Sequence, residues 1–166
     1  MLPIYFDKVE IFMKFQVEKD SGIIPQILTQ ILDGSVNGIT LSDPDQEDNP
    51  IVYANKAFAK ITGYSIEETI GRNCRFLHEQ DKNQEDLQKI RDAIKNQEPV
   101  EVTLKNFRKN GELFYNRLSI TPLFDNEGNL IYFMGVQYDV TEQVLTQQEI
   151  KKLTETLDML RNAQTQ

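Results

Sequence analysis

Cys74 is the residue with the clearest chemical potential, since it is the single cysteine among 166 residues. One thiol cannot form an internal disulfide and does not by itself make a metal site. Arg72 and Arg75 flank it at the predicted start of a helix, and positive charge there favours the reactive thiolate. Two interpretations are open at this point: a reactive centre, or a small apolar side chain of the core.

Three carboxamides form the second candidate group. Alternating apolar residues predict strands over 100–108, 113–124 and 131–140, and each strand places one amide on a mostly apolar face: Asn106, Asn116 and Gln137. A buried amide without a partner costs about 1–3 kcal/mol, so the three either pair with other groups of the protein or bind a ligand. Because amides carry donors and an acceptor, they suit the edge of a planar heterocycle.

Arg75 and Arg91 are candidates for binding a phosphate. Residues 83–95 predict a helix with Leu87, Ile90, Arg91 and Ile94 on one face, which places an arginine within an apolar stripe. Two arginines on different helices can clamp a phosphate while the amides contact a ring. The alternative is that both are surface residues.

The elements that position these residues indicate an α+β fold. The turns Asn110-Gly111 and Asn126-Glu127-Gly128-Asn129 predict that the three long strands pair antiparallel. Apolar spacings of three and four predict two N-terminal helices, within residues 6–17 and 23–32. The elements predicted between these regions are strands at 36–41 and 51–53 and short helices at 54–62 and 65–70.

A last helix is predicted from residue 141 to 161. Ile150, Leu153, Leu157 and Leu160 form an a/d seam of barely two heptads, which is marginal unless another contact holds two helices together. The seam predicts a homodimer through this helix, the N-terminal helices or the sheet face; a helix lying on the sheet or at the surface is the alternative. The expected division is an N-terminal helical extension (1–34), a core (35–140) and a C-terminal helix or coiled coil (141–166).

Composition excludes several classes of function. With 18 basic and 26 acidic residues the net charge is −8, so a nucleic-acid partner is not expected. Charged residues within the first fifteen positions argue against a secretory signal, and no apolar run approaches the ~20 residues of a membrane span. The chain should be cytoplasmic, with no membrane association.

The run Gly71-Arg72-Asn73-Cys74-Arg75-Phe76-Leu77, taken with the three amides, resembles the signature of the flavin-binding light-oxygen-voltage (LOV) domains of the PAS superfamily. The resemblance extends over about residues 36–140. It implies an α+β PAS/LOV fold, in which a five-stranded antiparallel sheet carries short helices on one face and encloses flavin mononucleotide (FMN). N-terminal and C-terminal helices would flank this core.

The resemblance also implies roles for individual residues. Cys74 would form the photoadduct and Gln137 would be the switch. The residues implied to bind the cofactor are Thr40, Ser42, Asn73, Arg75, Leu77, His78, Leu87, Ile90, Arg91, Ile94, Asn106, Asn116, Leu118, Ile120, Phe133, Gly135 and Gln137. The family's thiol is generally protonated before excitation, so a thiolate is not required.

The implied function is that of a blue-light photoreceptor, not an enzyme, of the short-LOV type without an effector domain. Light would join the Cys74 sulfur reversibly to the flavin, and Gln137 would turn its amide and signal to the flanking helices and the dimer interface. An unidentified downstream protein would receive the signal. The alternative is a non-photochemical PAS module, either a flavin redox sensor or a dimerisation domain with a structural Cys74.

His78, the single histidine, is a departure from the family pattern, which usually has glutamine there. Its imidazole can replace a hydrogen bond to the ribityl chain or point outward. As a base it can also speed the return to the dark state.

Overall fold

Five strands form one antiparallel sheet in the spatial order β2-β1-β5-β4-β3. The computed structural model describes residues 23–78, 81 and 84–163. Within them the strands are β1 (Gly38–Ser42), β2 (Ile51–Ala54), β3 (Val100–Phe107), β4 (Leu113–Phe124) and β5 (Leu130–Asp139). The predicted α+β class, the five strands and their antiparallel pairing are confirmed.

The predicted alternation places one face of the three long strands against the interior. Asn106, Asn116 and Gln137 are each only 1% exposed. The strand register brings the three amides close together. Asn116 lies opposite Leu104, two residues from Asn106 on β3, and Gln137 lies opposite Leu118, two residues from Asn116 on β4. Ile131, which the same alternation predicts to lie on the face of Gln137, is 40% exposed near the start of β5.

Six helices are present in the described residues, and two of them begin or end at capping residues that the sequence predicts. They are α1 (Ile23–Asp33), α2 (Lys56–Thr62), α3 (Ile66–Thr69), a 3-10 helix (Cys74–His78), α4 (Asp86–Asn96) and α5 (Thr141–Ala163). Ser65 and Glu68 form a capping box at α3, and Gly63 ends α2 in the left-handed conformation. The helix predicted within residues 6–17 lies outside the described residues.

Asn55 connects α1, β1 and α2. Its Oδ1 accepts hydrogen bonds from the backbone of Ile39 at 2.8 Å and of Phe58 at 3.0 Å. Its Nδ2 donates to the carbonyls of Leu32 at 2.8 Å and Asn37 at 3.0 Å. The fully buried amide is therefore satisfied, and it fixes the start of the sheet beneath the helices.

Gln84 fastens α4 to the edge strand β3. Its Nε2 donates to the Lys105 carbonyl at 2.8 Å, and its Oε1 accepts from the Lys105 backbone N–H at 2.7 Å. This pair of bonds occupies a backbone donor and acceptor that an edge strand otherwise leaves open. It also sets the position of the helix that carries Arg91.

The predicted C-terminal helix is present as α5. None of its described residues is buried, and the side chains of Ile150, Leu153, Leu157 and Leu160 are all more than half exposed. The seam therefore does not pack on the sheet of its own chain. No helix in the described part of the chain is long and apolar enough to cross a membrane.

Candidate functional site

A cavity of about 820 Å³ lies between the buried face of the sheet, the 3-10 helix and α4. Small-molecule sites in proteins usually measure about 300–1,000 Å³. Every residue that the sequence assigned to the site lines this cavity except Leu77: Thr40, Ser42, Asn73, Cys74, Arg75, His78, Leu87, Ile90, Arg91, Ile94, Asn106, Asn116, Leu118, Ile120, Phe133, Gly135 and Gln137. The fold thus brings Thr40 and Ser42 into the same cavity as Gln137, which lies 95 or more residues away in the sequence.

Two of the three amides are linked to each other. Asn116 Nδ2 donates to Asn106 Oδ1 at 2.9 Å, and Asn106 Nδ2 donates to the Lys105 carbonyl at 2.9 Å. Asn116 Oδ1 is buried without a partner among the described residues. Pairing and ligand binding, which the sequence left as alternatives, are therefore compatible, because the pair leaves one acceptor free.

The third amide, that of Gln137, is held at one end only. Its Nε2 donates to Thr40 Oγ1 at 3.2 Å, whereas Oε1 is buried and finds no partner in the described part of the chain. A buried acceptor left unpaired costs about 1–3 kcal/mol. A ligand that presents N–H groups to this wall would satisfy both Gln137 Oε1 and Asn116 Oδ1.

Two glycines make room for the Gln137 amide. A Cβ at Gly135 would lie 2.7 Å from Thr40 Oγ1 and 3.0 Å from Gln137 Nε2. A Cβ at Gly38 would lie 3.1 Å from Gln137 Oε1. Any side chain at Gly135 would therefore displace the Gln137–Thr40 pair.

Cys74 lines the cavity as a neutral thiol. Burial raises its pKa to about 12. The flanking arginines are engaged elsewhere, since the Arg72 guanidinium lies 3.9 Å from the centre of the Phe76 ring and Arg75 Nη1 lies 2.7 Å from Asp48 Oδ1. The expectation that these arginines favour a thiolate is wrong. Because the thiol is protonated, a covalent bond at this sulfur requires a reaction partner that is itself activated.

Three cations line the cavity. Arg75 comes from the 3-10 helix, and Arg91 and Lys95 come from one face of α4. Arg91 Nη1 donates to Gln88 Oε1 at 3.2 Å, which leaves most of its donors available to a ligand. The arrangement suits a phosphate or another anionic group.

His78 contributes an imidazole to the same wall. Burial lowers its pKa, as do the charges of Arg75 and Arg91, while Asp81 raises it. The ring is consequently neutral near pH 7, with one nitrogen that accepts and one that donates. Of the alternatives for this residue, an orientation entirely outward is not observed.

Leu77 is the assigned residue that does not line the cavity. Its side chain is 1% exposed and packs with Ile51, Ala54 and Phe58 in the core, so it is not available to a ligand in the cavity. Three further residues line the cavity that the sequence did not assign to it: Asn49, Phe76 and Lys95. Lys95 follows Arg91 by four residues on α4, a spacing that indicates a shared face. Asn49 lies in an irregular loop, where Asn49-Pro50 fits the family pattern but no local periodicity indicates which way its side chain points.

Comparisons with known proteins agree on one family. The sequence matches the PAS domain family over residues 36–142. It is 44% identical over 126 residues to a blue-light photoreceptor of Listeria innocua serovar 6a, across 76% of this chain and 49% of that protein. The chain thus spans about half the length of that relative.

Two solved structures are similar. An RNA-binding light-oxygen-voltage receptor shares 34% identity with a TM-score of 0.76, across 88% of this chain and 41% of that chain. The light-state structure of the blue-light photoreceptor Aureochrome1 LOV shares 33% identity with a TM-score of 0.62, across 76% of this chain and 96% of that chain.

Proposed function

The chain belongs to the PAS family as a LOV domain, and from that membership we propose that it is a blue-light photoreceptor that binds FMN and responds through Cys74 and Gln137. One observation carries the proposal: a neutral thiol, two unpaired buried acceptors and three cations line a single cavity. A flavin mononucleotide has a ring with mixed donors and acceptors for the amides, a ring carbon for the sulfur and a phosphate for the cations. The role is sensory, not enzymatic.

The side chains around the cavity fit the parts of this cofactor. Asn116 Oδ1 would accept a hydrogen bond from the N–H of the ring edge, which removes the cost of that unpaired buried acceptor. With its amide turned, Gln137 would donate its NH2 group to the ring nitrogen, and its Oε1 would then face the Thr40 hydroxyl. Apolar side chains of the wall, such as Leu118 and Phe133, would contact the ring faces. Arg75 and Arg91 would bind the phosphate, with Lys95 close by on α4.

Cys74 would supply both a sulfur and a proton. A flavin bound there and excited by blue light would supply an electrophilic ring carbon. Cys74 would give this carbon its sulfur and the adjacent ring nitrogen its proton. Both are returned in the dark, so no substrate is consumed. The raised pKa of Cys74 favours this role, because a protonated thiol carries the proton that the reaction needs.

Gln137 would carry the signal. The ring nitrogen beside it would change from acceptor to donor, and the amide can answer by presenting its oxygen in place of its NH2 group. This turn would bring Gln137 Nε2 to Thr40 Oγ1, the partner that it has in this structure. Two residues further along β5, Asp139 accepts from the Thr141 backbone N–H at 3.0 Å at the start of α5. The switch and the helix are therefore joined by one short stretch of strand.

A homodimer is the proposed assembly, through the flanking helices or the sheet face. Exposed apolar side chains on α1 and α5, including Leu28, Ile31 and Leu157, support it. The downstream protein is unidentified. The absence of a nucleic-acid partner and a cytoplasmic location stay predictions from the sequence; RNA binding is a property named for one similar receptor.

A non-photochemical PAS module is the second candidate, because Cys74 also packs beside Tyr64 and Phe76 against the core, as a structural cysteine would. Bound FMN separates a photoreceptor or a flavin redox sensor from a dimerisation domain, and reversible bleaching of the flavin in blue light separates the photoreceptor from the redox sensor. The purified protein should release FMN on denaturation, identified by chromatography against FMN and riboflavin standards. A colourless protein would remove the photoreceptor proposal.

A further inference from the structure

Asp48 pairs with one of the three cations of the cavity. Arg75 Nη1 lies 2.7 Å from Asp48 Oδ1, and the two side chains are 63% and 53% exposed. In the described part of the chain, Asp48 is the carboxylate that forms an ion pair with any of Arg75, Arg91 and Lys95. The carboxylate of Asp48 is therefore paired with Arg75, the arginine that would bind the phosphate of the cofactor in the proposed function.

The carboxylate is held there by its backbone. Asn73 Nδ2 donates to the Asp48 carbonyl, which ties the β1–β2 loop to the helix of Cys74. Asp48 and Asn49 have φ angles of 68° and 48°, in the left-handed region that few residues other than glycine enter. Asn49 itself lines the cavity. The loop backbone thus holds an aspartate beside Arg75 in this structure.

We propose that Asp48 competes with the phosphate of the ligand for Arg75, and so limits the preference of the cavity for a phosphorylated over an unphosphorylated flavin. The inference rests on the proposed function. An exposed ion pair is weak, so a phosphate with its larger charge and three acceptor oxygens displaces the carboxylate. Asp48 then stays close enough to repel the bound phosphate.

Removal of this charge should strengthen binding of FMN and leave riboflavin unaffected. Asp48→Asn retains the backbone carbonyl that Asn73 contacts and loses the competing charge. The expected gain for FMN is about 2- to 5-fold in Kd, the range typical of one exposed pair. Asp45→Asn is the matched control, since it removes the same charge from the same loop.

The experiment titrates flavin-free protein with FMN and with riboflavin and follows the quenching of flavin fluorescence. Asp48→Asn should bind FMN more tightly, while Asp45→Asn should resemble the wild type. In an Arg75→Gln background, Asp48→Asn should bring no gain. Measurement of the double variant separates competition for the arginine from a general effect of loop charge.

Several outcomes would overturn the inference alone: unchanged or weaker FMN binding by Asp48→Asn, an equal gain with riboflavin or with Asp45→Asn, or a gain that persists without Arg75. A wild type that binds neither flavin would refute the proposed function, and this inference with it. Wild-type binding of FMN without the gain in Asp48→Asn leaves the proposed function standing.

Discussion

Gln137 Nε2 donates to Thr40 Oγ1 at 3.2 Å across the paired strands β5 and β1, while its own Oε1 stays unpaired among the described residues. The amide is therefore anchored on the side of β1 and open on the side of the cavity. A ligand atom beside this amide that changes from acceptor to donor would decide whether the NH2 group or the oxygen faces the cavity, and so would act directly on the bond to Thr40.

Gln137→Leu should retain flavin and still form the adduct, but with a shifted absorption band and a weaker response at α5. Leucine fills a similar volume and has no group to exchange between Thr40 and the ring. Hydrogen exchange at the start of α5, compared in darkness and light, measures the response. Thr40→Val, which removes only the anchor, is the control. A light response in Gln137→Leu equal to that of the wild type would place the switch elsewhere.

Gly135→Ala should lower the flavin content of the purified protein. The new Cβ would meet Thr40 Oγ1 at 2.7 Å and Gln137 Nε2 at 3.0 Å, and this distance requires the pair to shift. The ratio of flavin to protein absorbance measures the loss. Gly111→Ala is the control: it strains a turn with a φ of 81°, far from the cavity, and should reduce thermal stability while keeping the flavin. Full flavin occupancy in Gly135→Ala would show that the close approach of Gly135 to the Gln137–Thr40 pair is not needed for flavin binding.

Asp139→Asn should make stability less sensitive to acid. Burial raises the pKa of Asp139, but hydrogen bonds from Thr141 and Arg108 outweigh it and hold the pKa below the usual value. The unfolded chain therefore takes up the proton first as pH falls, and the stabilisation from Asp139, present above about pH 4, is lost below it.

Urea unfolding at pH 7 and at pH 3.5 measures this difference. The gap in stability between wild type and Asp139→Asn should be largest at pH 7 and should narrow at pH 3.5. Asp158→Asn on the exposed side of α5 is the control and should follow the wild type. A gap that stays constant with pH would show that Asp139 does not act through its charge.

His78 should set the pH dependence of dark recovery if it acts as a base. Its pKa lies below the ordinary value because of burial and the nearby Arg75 and Arg91, so the imidazole is free to accept a proton at pH 7. Recovery should slow as the pH falls through that lowered pKa, because the base becomes protonated. Recovery rates between pH 5 and 8 test this, with His78→Gln expected to be slower and nearly independent of pH. The same dependence of recovery rate on pH in both proteins would show that His78 does not act as a base.

Local pattern was sufficient to predict the sheet. The alternation in β3, β4 and β5 placed Asn106, Asn116 and Gln137 on one buried face, and turn residues predicted the hairpins. Which acceptor stays unpaired depends on the strand register and on Thr40, which lies 97 residues from Gln137 in the sequence. No local pattern contains that information.

The errors have physical causes as well. Flanking charge suggested a thiolate at Cys74, but Phe76 and Asp48 engage the two arginines and burial raises the pKa of the thiol. Leu77 belongs to the run around Cys74 that resembles the LOV signature, but membership of that run does not determine which neighbours its side chain contacts. Asp48 and Asn49 reach the cavity through a loop whose shape is set by long-range contacts.

The most direct test of the central claim is the absorption spectrum in darkness, immediately after blue light, and during recovery, for the wild type and Cys74→Ala. In the wild type a structured blue band should bleach to a single near-ultraviolet band and return. Cys74→Ala should retain flavin and fluoresce without bleaching. Absence of bleaching in the wild type, or the same reversible bleaching in Cys74→Ala, would contradict the account.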